Sequence, residues 1–174
     1  EPDGGDFLLA ARALLAEQEG RPEAALAELL PLLEDDYPPA ARHQWLPDLV
    51  RIAGRLDDHQ RAHQALRLLE PEGDVPPAHA AAAAHCRGLV TGDPEPVLTA
   101  AGHYRAAGRL LKEAKATEDA AILLAESGEL AEARTAFRTA LTAYTGMGAV
   151  WDVRRAEARM GLNGPWYRLV SGLE

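Results

Sequence analysis

A hinge that recurs about every 36 residues constrains this chain more than any other feature. The segments EQEGRPEAALAEL (17–29), GRLDDHQRAHQAL (54–66), VTGDPEPVLTAAG (90–102) and AESGELAEARTAF (125–137) align on one another. Each ends one helix, turns at Gly20, Asp57, Gly92 or Gly128, and starts another. Five positions past each turn comes a small or β-branched apolar residue, Ala25, Ala62, Val97 or Ala133. Four further on stands Leu29, Leu66, Ala101 or Phe137. The intervals between turns are 37, 35 and 36 residues. A helical hairpin of this size cannot bury its apolar face alone, so such periodicity predicts stacked hairpins, a solenoid that presents a surface for contact.

The register predicts an all-α chain of about nine helices: hairpins over 6–34, 39–70, 77–107 and 109–145, then a capping helix over 148–160. Gly20 supplies a positive-φ stop and Pro22 a first-turn residue whose missing N–H costs nothing there. Asp57 or Asp58 and Asp93 are the expected N-caps of later helices. Leu26, Leu29, Leu30 and Leu33 keep the i, i+3, i+4, i+7 spacing of a helix face, and no stretch alternates long enough for a strand. Gly164 keeps the register 36 residues past Gly128, so the repeat domain is expected over 1–164 and a tail over 165–174. With 47% hydrophobic residues but 5% aromatic, the core must be alanine and leucine, suited to closely approaching helices. A net charge of −9 argues against a broad basic face for DNA or anionic lipid, and the acids Glu17, Glu19, Glu23, Glu28 and 34–36 are expected on a solubilising outer face. A single cysteine, Cys86, allows no internal disulfide and fits a cytoplasmic location.

Several positions fit the tetratricopeptide (TPR) pattern. Gly128, Ala133, Phe137 and Ala140 stand where that pattern has Gly, Ala, an aromatic and Ala, and Gly20, Ala25, Leu29 and Pro38 follow it less closely. Asp57 replaces the hinge glycine of the second copy and Val97 the alanine of the third, so the array is TPR-like. Longer phrases, QWLPDLVRIAG (44–54), AAAAHCRGLVTGDP (81–94), AGHYRAAGRLLKEAKATEDAAILLAESGELAEARTAFRTALTAY (101–144) and AVWDVRRAEARM (149–160), resemble the helical region of the large ATP-binding LuxR-type (LAL) transcriptional regulators of actinobacteria. The ending YRLVSGLE (167–174) looks like the junction before their DNA-binding segment. The resemblance implies a protein-interaction and effector-coupling region from the middle of a regulator of secondary metabolism. It implies as partners the parent's neighbouring domains or another protein, a small-molecule inducer and a second copy. No G-x-x-x-x-G-K-[ST] occurs, so no phosphate loop and no ATPase are expected in this chain, and no DNA binding. The other reading is a stand-alone TPR-like adaptor that docks a peptide or a partner protein.

In TPR-like hairpins the first helices line the concave face. That places Gln44, Arg51 and Arg55, then His79 and Cys86, Glu118 and Ile122, and finally Trp151 and Arg154 as candidate contacts. Arg51 and Arg55 share a helix face and either grip a carboxylate or phosphate or pair with Asp48, Asp57 or Asp58. Trp45 is expected in the core, and Trp151 is expected to pack more than to stay open, although the last helix of the array has an unpaired flank. His59 and His63, or His79 and Cys86, supply two metal ligands each and two do not make a site, so neither metal nor cofactor is expected. No spacing assembles a nucleophile with a base, so no enzyme is expected. Apolar residues near the ends, Phe7, Leu8, Leu9, Trp166 and Leu169, favour self-association.

Overall fold

The computed structural model describes residues 5–70 and 75–161. Gly164, Trp166, Leu169 and the expected tail 165–174 lie outside them. Nine α-helices and no strand occur among the described residues: α1 Gly5–Gln18, α2 Pro22–Leu29, α3 Pro39–Arg55, α4 His59–Leu69, α5 Pro77–Thr91, α6 Pro94–Ala106, α7 Leu110–Glu126, α8 Leu130–Met147 and α9 Val150–Arg159. The chain divides into two compact units, Glu1–Thr91 and Gly92–Glu174, so α5 closes the first and α6 opens the second. 

The four aligned hinge positions all take left-handed backbone, with φ of +71° at Gly20 and Gly92, +88° at Gly128 and +56° at Asp57. At Gly128 the hydrogen bonds explain why. The Gly128 N–H reaches the Ala125 carbonyl at 3.2 Å and the Glu129 N–H the Leu124 carbonyl at 2.8 Å, the Schellman closure that satisfies the last carbonyls of a helix. The Glu129 carbonyl then accepts the first bond of the next helix, from Ala133 N–H at 2.9 Å. One residue thus ends α7 with its N–H and starts α8 with its C=O. The same pair of bonds recurs at Arg21 (to Ala16, from Ala25) and at Asp58 (to Ala53, from Ala62). It also recurs where hairpins join, at Arg109 (to Tyr104, from Glu113) and Ala149 (to Tyr144, from Val153). Asp57 serves without glycine because Asp is among the few residues that visit this conformation readily. The residues five past the hinges, Ala25, Ala62, Val97 and Ala133, are all buried.

In the first unit α2 packs on α1 and α3, and α4 and α5 pack on α3 and on each other. Leu26, Leu29, Leu32, Leu46, Leu49, Ile52 and Leu69 form the core with small residues of α5 such as Ala82 and Cys86. The helix expected to run to Glu34 breaks at Leu29 into one turn of 3-10 helix, Leu30–Leu33. Pro31 has no N–H to continue the α-helical ladder, so the chain tightens there and Glu34 N–H bonds the Pro31 carbonyl instead. Arg42, buried on α3, donates to the carbonyls of Leu32, at 3.1 Å, and Glu34, and so caps that turn. Pro47 lies inside α3 without ending it.

In the second unit α7 packs on both α6 and α8, and α9 packs on α8. Its core is Ala114, Ala121, Phe137, Ala140, Tyr144, Ala156 and Met160, with Leu124, Ala125 and Ala133 as a smaller cluster.

Candidate functional site

Each unit brings together groups that the sequence keeps far apart. In the first, Arg51 reaches back 34 positions to Glu17 on α1, with Nη1–Oε1 at 2.5 Å and Nη2–Oε2 at 2.8 Å, and also meets Asp48 Oδ1 at 3.2 Å. Both side chains are about 5% exposed. This forked arrangement is the strong form of an arginine–carboxylate contact. It fills the guanidinium with the chain's own acids: Asp48 was one of the expected acids, and Glu17 is a further one. Arg55, one turn on, is exposed. Gln44 and His79 are half-buried, and His79 Nε2 lies 3.0 Å from the Leu69 carbonyl oxygen. Trp45, also half-buried, donates Nε1–H to Asp6 Oδ2 at 3.0 Å and meets Phe7 edge-on.

In the second unit Glu118, completely buried on α7, is the centre of a charged cluster. The Tyr144 hydroxyl of α8 donates to Glu118 Oε2 at 2.7 Å. From α9, Arg155 Nη2 donates to the same oxygen at 2.6 Å and Arg159 Nη1 to Oε1 at 2.5 Å. Arg155 also holds Asp152 Oδ1 at 2.5 Å, and Arg159 holds Asp119 Oδ1 at 2.6 Å. Burial by itself drives the Glu118 carboxyl up; the charges of Arg159 and Arg155 outweigh it and hold the group below its ordinary value. Burial and the facing Glu118 carboxylate together push the Tyr144 hydroxyl up, keeping it a donor. Glu118 therefore stays ionised at neutral pH, and its charge is spent on the two arginines.

An open groove of about 520 Å³ lies between α6 and α8 over α7. Leu98 and Arg105 of α6 and Thr135 and Thr139 of α8 form its walls, with Thr117 and Leu124 of α7 beneath. All three threonine hydroxyls donate to carbonyls four residues back in their own helices, so methyl groups and oxygen lone pairs are what remain for a ligand. Arg105 Nε is 2.7 Å from Glu113 Oε1. None of the sequence-derived candidates lines this groove. Trp151 is half exposed at the start of α9, with the Arg154 guanidinium 4.9 Å from its ring centroid, so these two candidates meet as a stacked pair on the surface.

Elsewhere, Ile122 is half-buried and Cys86 is a buried thiol. His63 Nδ1 lies 2.7 Å from the His59 carbonyl oxygen. Among the described residues no group of three or more His, Cys, Asp or Glu is placed to hold a metal ion, and no helix is long and apolar enough to cross a membrane. Glu17, expected on a solubilising outer face, instead has its side chain buried against Arg51, and reasoning from sequence passed over Arg42, Tyr144, Asp152, Arg155 and Arg159. One signal was available: Glu118 and Asp119 interrupt an apolar helix, AKATEDAAILLA, and Arg155 and Arg159 stand one turn apart downstream. No family model, curated protein or solved structure matches this chain.

Proposed function

We propose that this chain is a TPR-like interaction and coupling region of a cytoplasmic LuxR-type transcriptional regulator, without ATPase or DNA-binding activity of its own. The carrying observation is the recurrent hinge: a left-handed residue and a buried apolar residue five positions on at all four turns, and at those of Gly20, Asp57 and Gly128 one residue that closes one helix and opens the next. Repetition of one bend and one spine position is what a solenoid of hairpins requires. In this reading Arg51 and Glu118 keep the helices of their own units in place, and each unit offers a contact of its own, Arg55 in the first and the Trp151–Arg154 pair in the second. A partner that binds one arrangement of the helices better than another shifts the parent between resting and active states, and only that difference in affinity does so.

The coding sequence on either side tests the assignment. A phosphate-loop motif upstream and a helix-turn-helix downstream are expected; the absence of both puts the stand-alone adaptor in its place. With the parent's ATPase domain in hand, titration calorimetry should register binding to this region and a loss of at least about tenfold in affinity for Trp151→Ala, the size of effect that a well-packed aromatic anchor gives. Wild-type affinity in Trp151→Ala removes that residue from the interface.

A further inference from the structure

Four of the largest exposed apolar side chains of this protein sit on one helix. Phe7, Leu8, Leu14 and Leu15 of α1 are 59%, 52%, 39% and 55% exposed. At about 100° per residue they fall, with exposed Ala11 and half-buried Gln18, within an arc of about 120° that contains no charged residue. The acids of α1 point elsewhere, since Asp6 is held by Trp45 and Glu17 by Arg51. Arg12 borders the arc and lies 4.0 Å from Glu28 of α2. A stripe of this kind, rimmed by polar groups, marks a contact surface.

We infer that α1 is a homodimerisation helix that pairs antiparallel with α1 of a second copy, about a two-fold axis near Ala11. The occupant follows from the order of residues. Reversing the helix about Ala11 exchanges Phe7 with Leu15 and Leu8 with Leu14, so every large apolar side chain meets another and alanine meets alanine. An isologous contact demands this self-complementarity, and the small central residue lets the two backbones approach closely. Antiparallel pairing also sets opposite ends of the two helix dipoles side by side. An uncharged stripe on a chain of net charge −9 is where a second copy meets least repulsion. Covering these side chains removes roughly 400 Å² per copy from water, about half of what a stable specific interface buries, so the dimer is weak and transient. The inference rests on α1 alone and stands whether or not the repeat reading does.

Sedimentation velocity of the 174-residue chain from about 10 μM to about 1 mM should show a monomer–dimer equilibrium with Kd on the order of 10⁻⁵ to 10⁻⁴ M. Leu8→Glu with Leu15→Glu should weaken it at least about tenfold with an unchanged far-ultraviolet circular dichroism spectrum, while Leu110→Glu, on an exposed leucine of α7, leaves it intact. Because the double variant alters helix stability as well as the surface, A11C supplies a second measure. Mild oxidation should link it across the two-fold axis into a covalent dimer, whereas wild type, with its buried Cys86, stays uncross-linked. A wild-type chain monomeric throughout this range, a dimer indifferent to both glutamates, or failure of A11C to cross-link overturns the inference.

Discussion

In the first unit helices meet through long branched side chains: Leu26 and Leu29 from α2, Leu46, Leu49 and Ile52 from α3, and Leu69 from α4 are all buried. In the second unit α9 contributes little of that kind. Its buried residues are Asp152 and Ala156, followed by Met160 just past its end, and what ties it to α7 is a pair of arginines on one glutamate. Apolar burial is non-directional and tolerates small slips in register. A carboxylate held by two arginines and a phenol accepts one placement of the helix. The first unit therefore derives its cohesion from area, and α9 derives its register from charge. Buried ion pairs need not add net stability, but breaking one partner is costly because the others are left buried and unneutralised.

The sharpest way to break the contrast is to remove one side chain from each. Glu118→Ala removes the acceptor that Tyr144, Arg155 and Arg159 share and leaves the arginines only Asp152 and Asp119, so a loss of about 3 kcal/mol, the lower end for breaking a buried pair, is expected in urea unfolding. Leu49→Ala deletes buried atoms without stranding a charge and should cost about 2–5 kcal/mol, depending on how far the site relaxes. Magnitudes overlap, so location decides: hydrogen exchange should accelerate first in α9 for Glu118→Ala and across α3–α5 for Leu49→Ala. If α9 amides in Glu118→Ala exchange at the wild-type rate, the charge cluster does not hold that helix.

Acid offers a smaller perturbation of the same contrast. The arginines lower the Glu118 pKa in the folded chain, so the native state favours the carboxylate more than the unfolded state does, where the pKa is about 4.3. Its contribution is therefore complete above that value and is lost as pH falls through the lower, folded value. Titration from neutrality downward should loosen α9 before the leucine core of the first unit, followed by amide exchange or by the Tyr144 ring resonances. Glu118→Gln should weaken the pH dependence of α9 in that window. If α3–α5 open before α9 in the wild-type chain, the ordering is wrong.

Helices and hinges were legible in the sequence because their causes are local. Gly20 and Gly128 mark the left-handed bends, Pro22 and Pro94 the helix starts, and the five-residue offset to Ala25, Ala62, Val97 and Ala133 names the buried positions. What could not be read were pairings closed by the fold itself. Arg51 found Glu17 34 positions away and Arg155 found Glu118 37 positions away, and no periodicity carries that information. The groove over α7 was invisible for a similar reason. Its walls come from α6 and α8, helices that contribute Leu98, Thr135 and Thr139 from positions with no mark of their own. Pro31 was a local signal, and the helical spacing of the leucines around it concealed its effect.

The hinges give the finest comparison, since the first unit uses Asp57 where the second uses Gly128. Gly128→Ala puts a Cβ on a residue at φ +88°, where no neighbouring atom lies within 4 Å of it, so the cost is conformational and not a clash. About 1–2 kcal/mol should be lost, the penalty of a left-handed residue with a side chain. Asp57 already carries that penalty at φ +56° and partly relieves it through its short polar side chain. Asp57→Gly removes the strain but gives the unfolded chain more freedom, and these opposing terms leave a gain of at most about 1 kcal/mol. Asp58, the adjacent cap that accepts from Arg61 N–H at 3.1 Å, is untouched by the change. Thermal unfolding of the two variants side by side should therefore move in opposite directions, with the larger shift downward for Gly128→Ala. A fall in melting temperature for Asp57→Gly would mean that the aspartate makes a contact at the bend that outweighs its backbone strain, and the two hinges would no longer be equivalent.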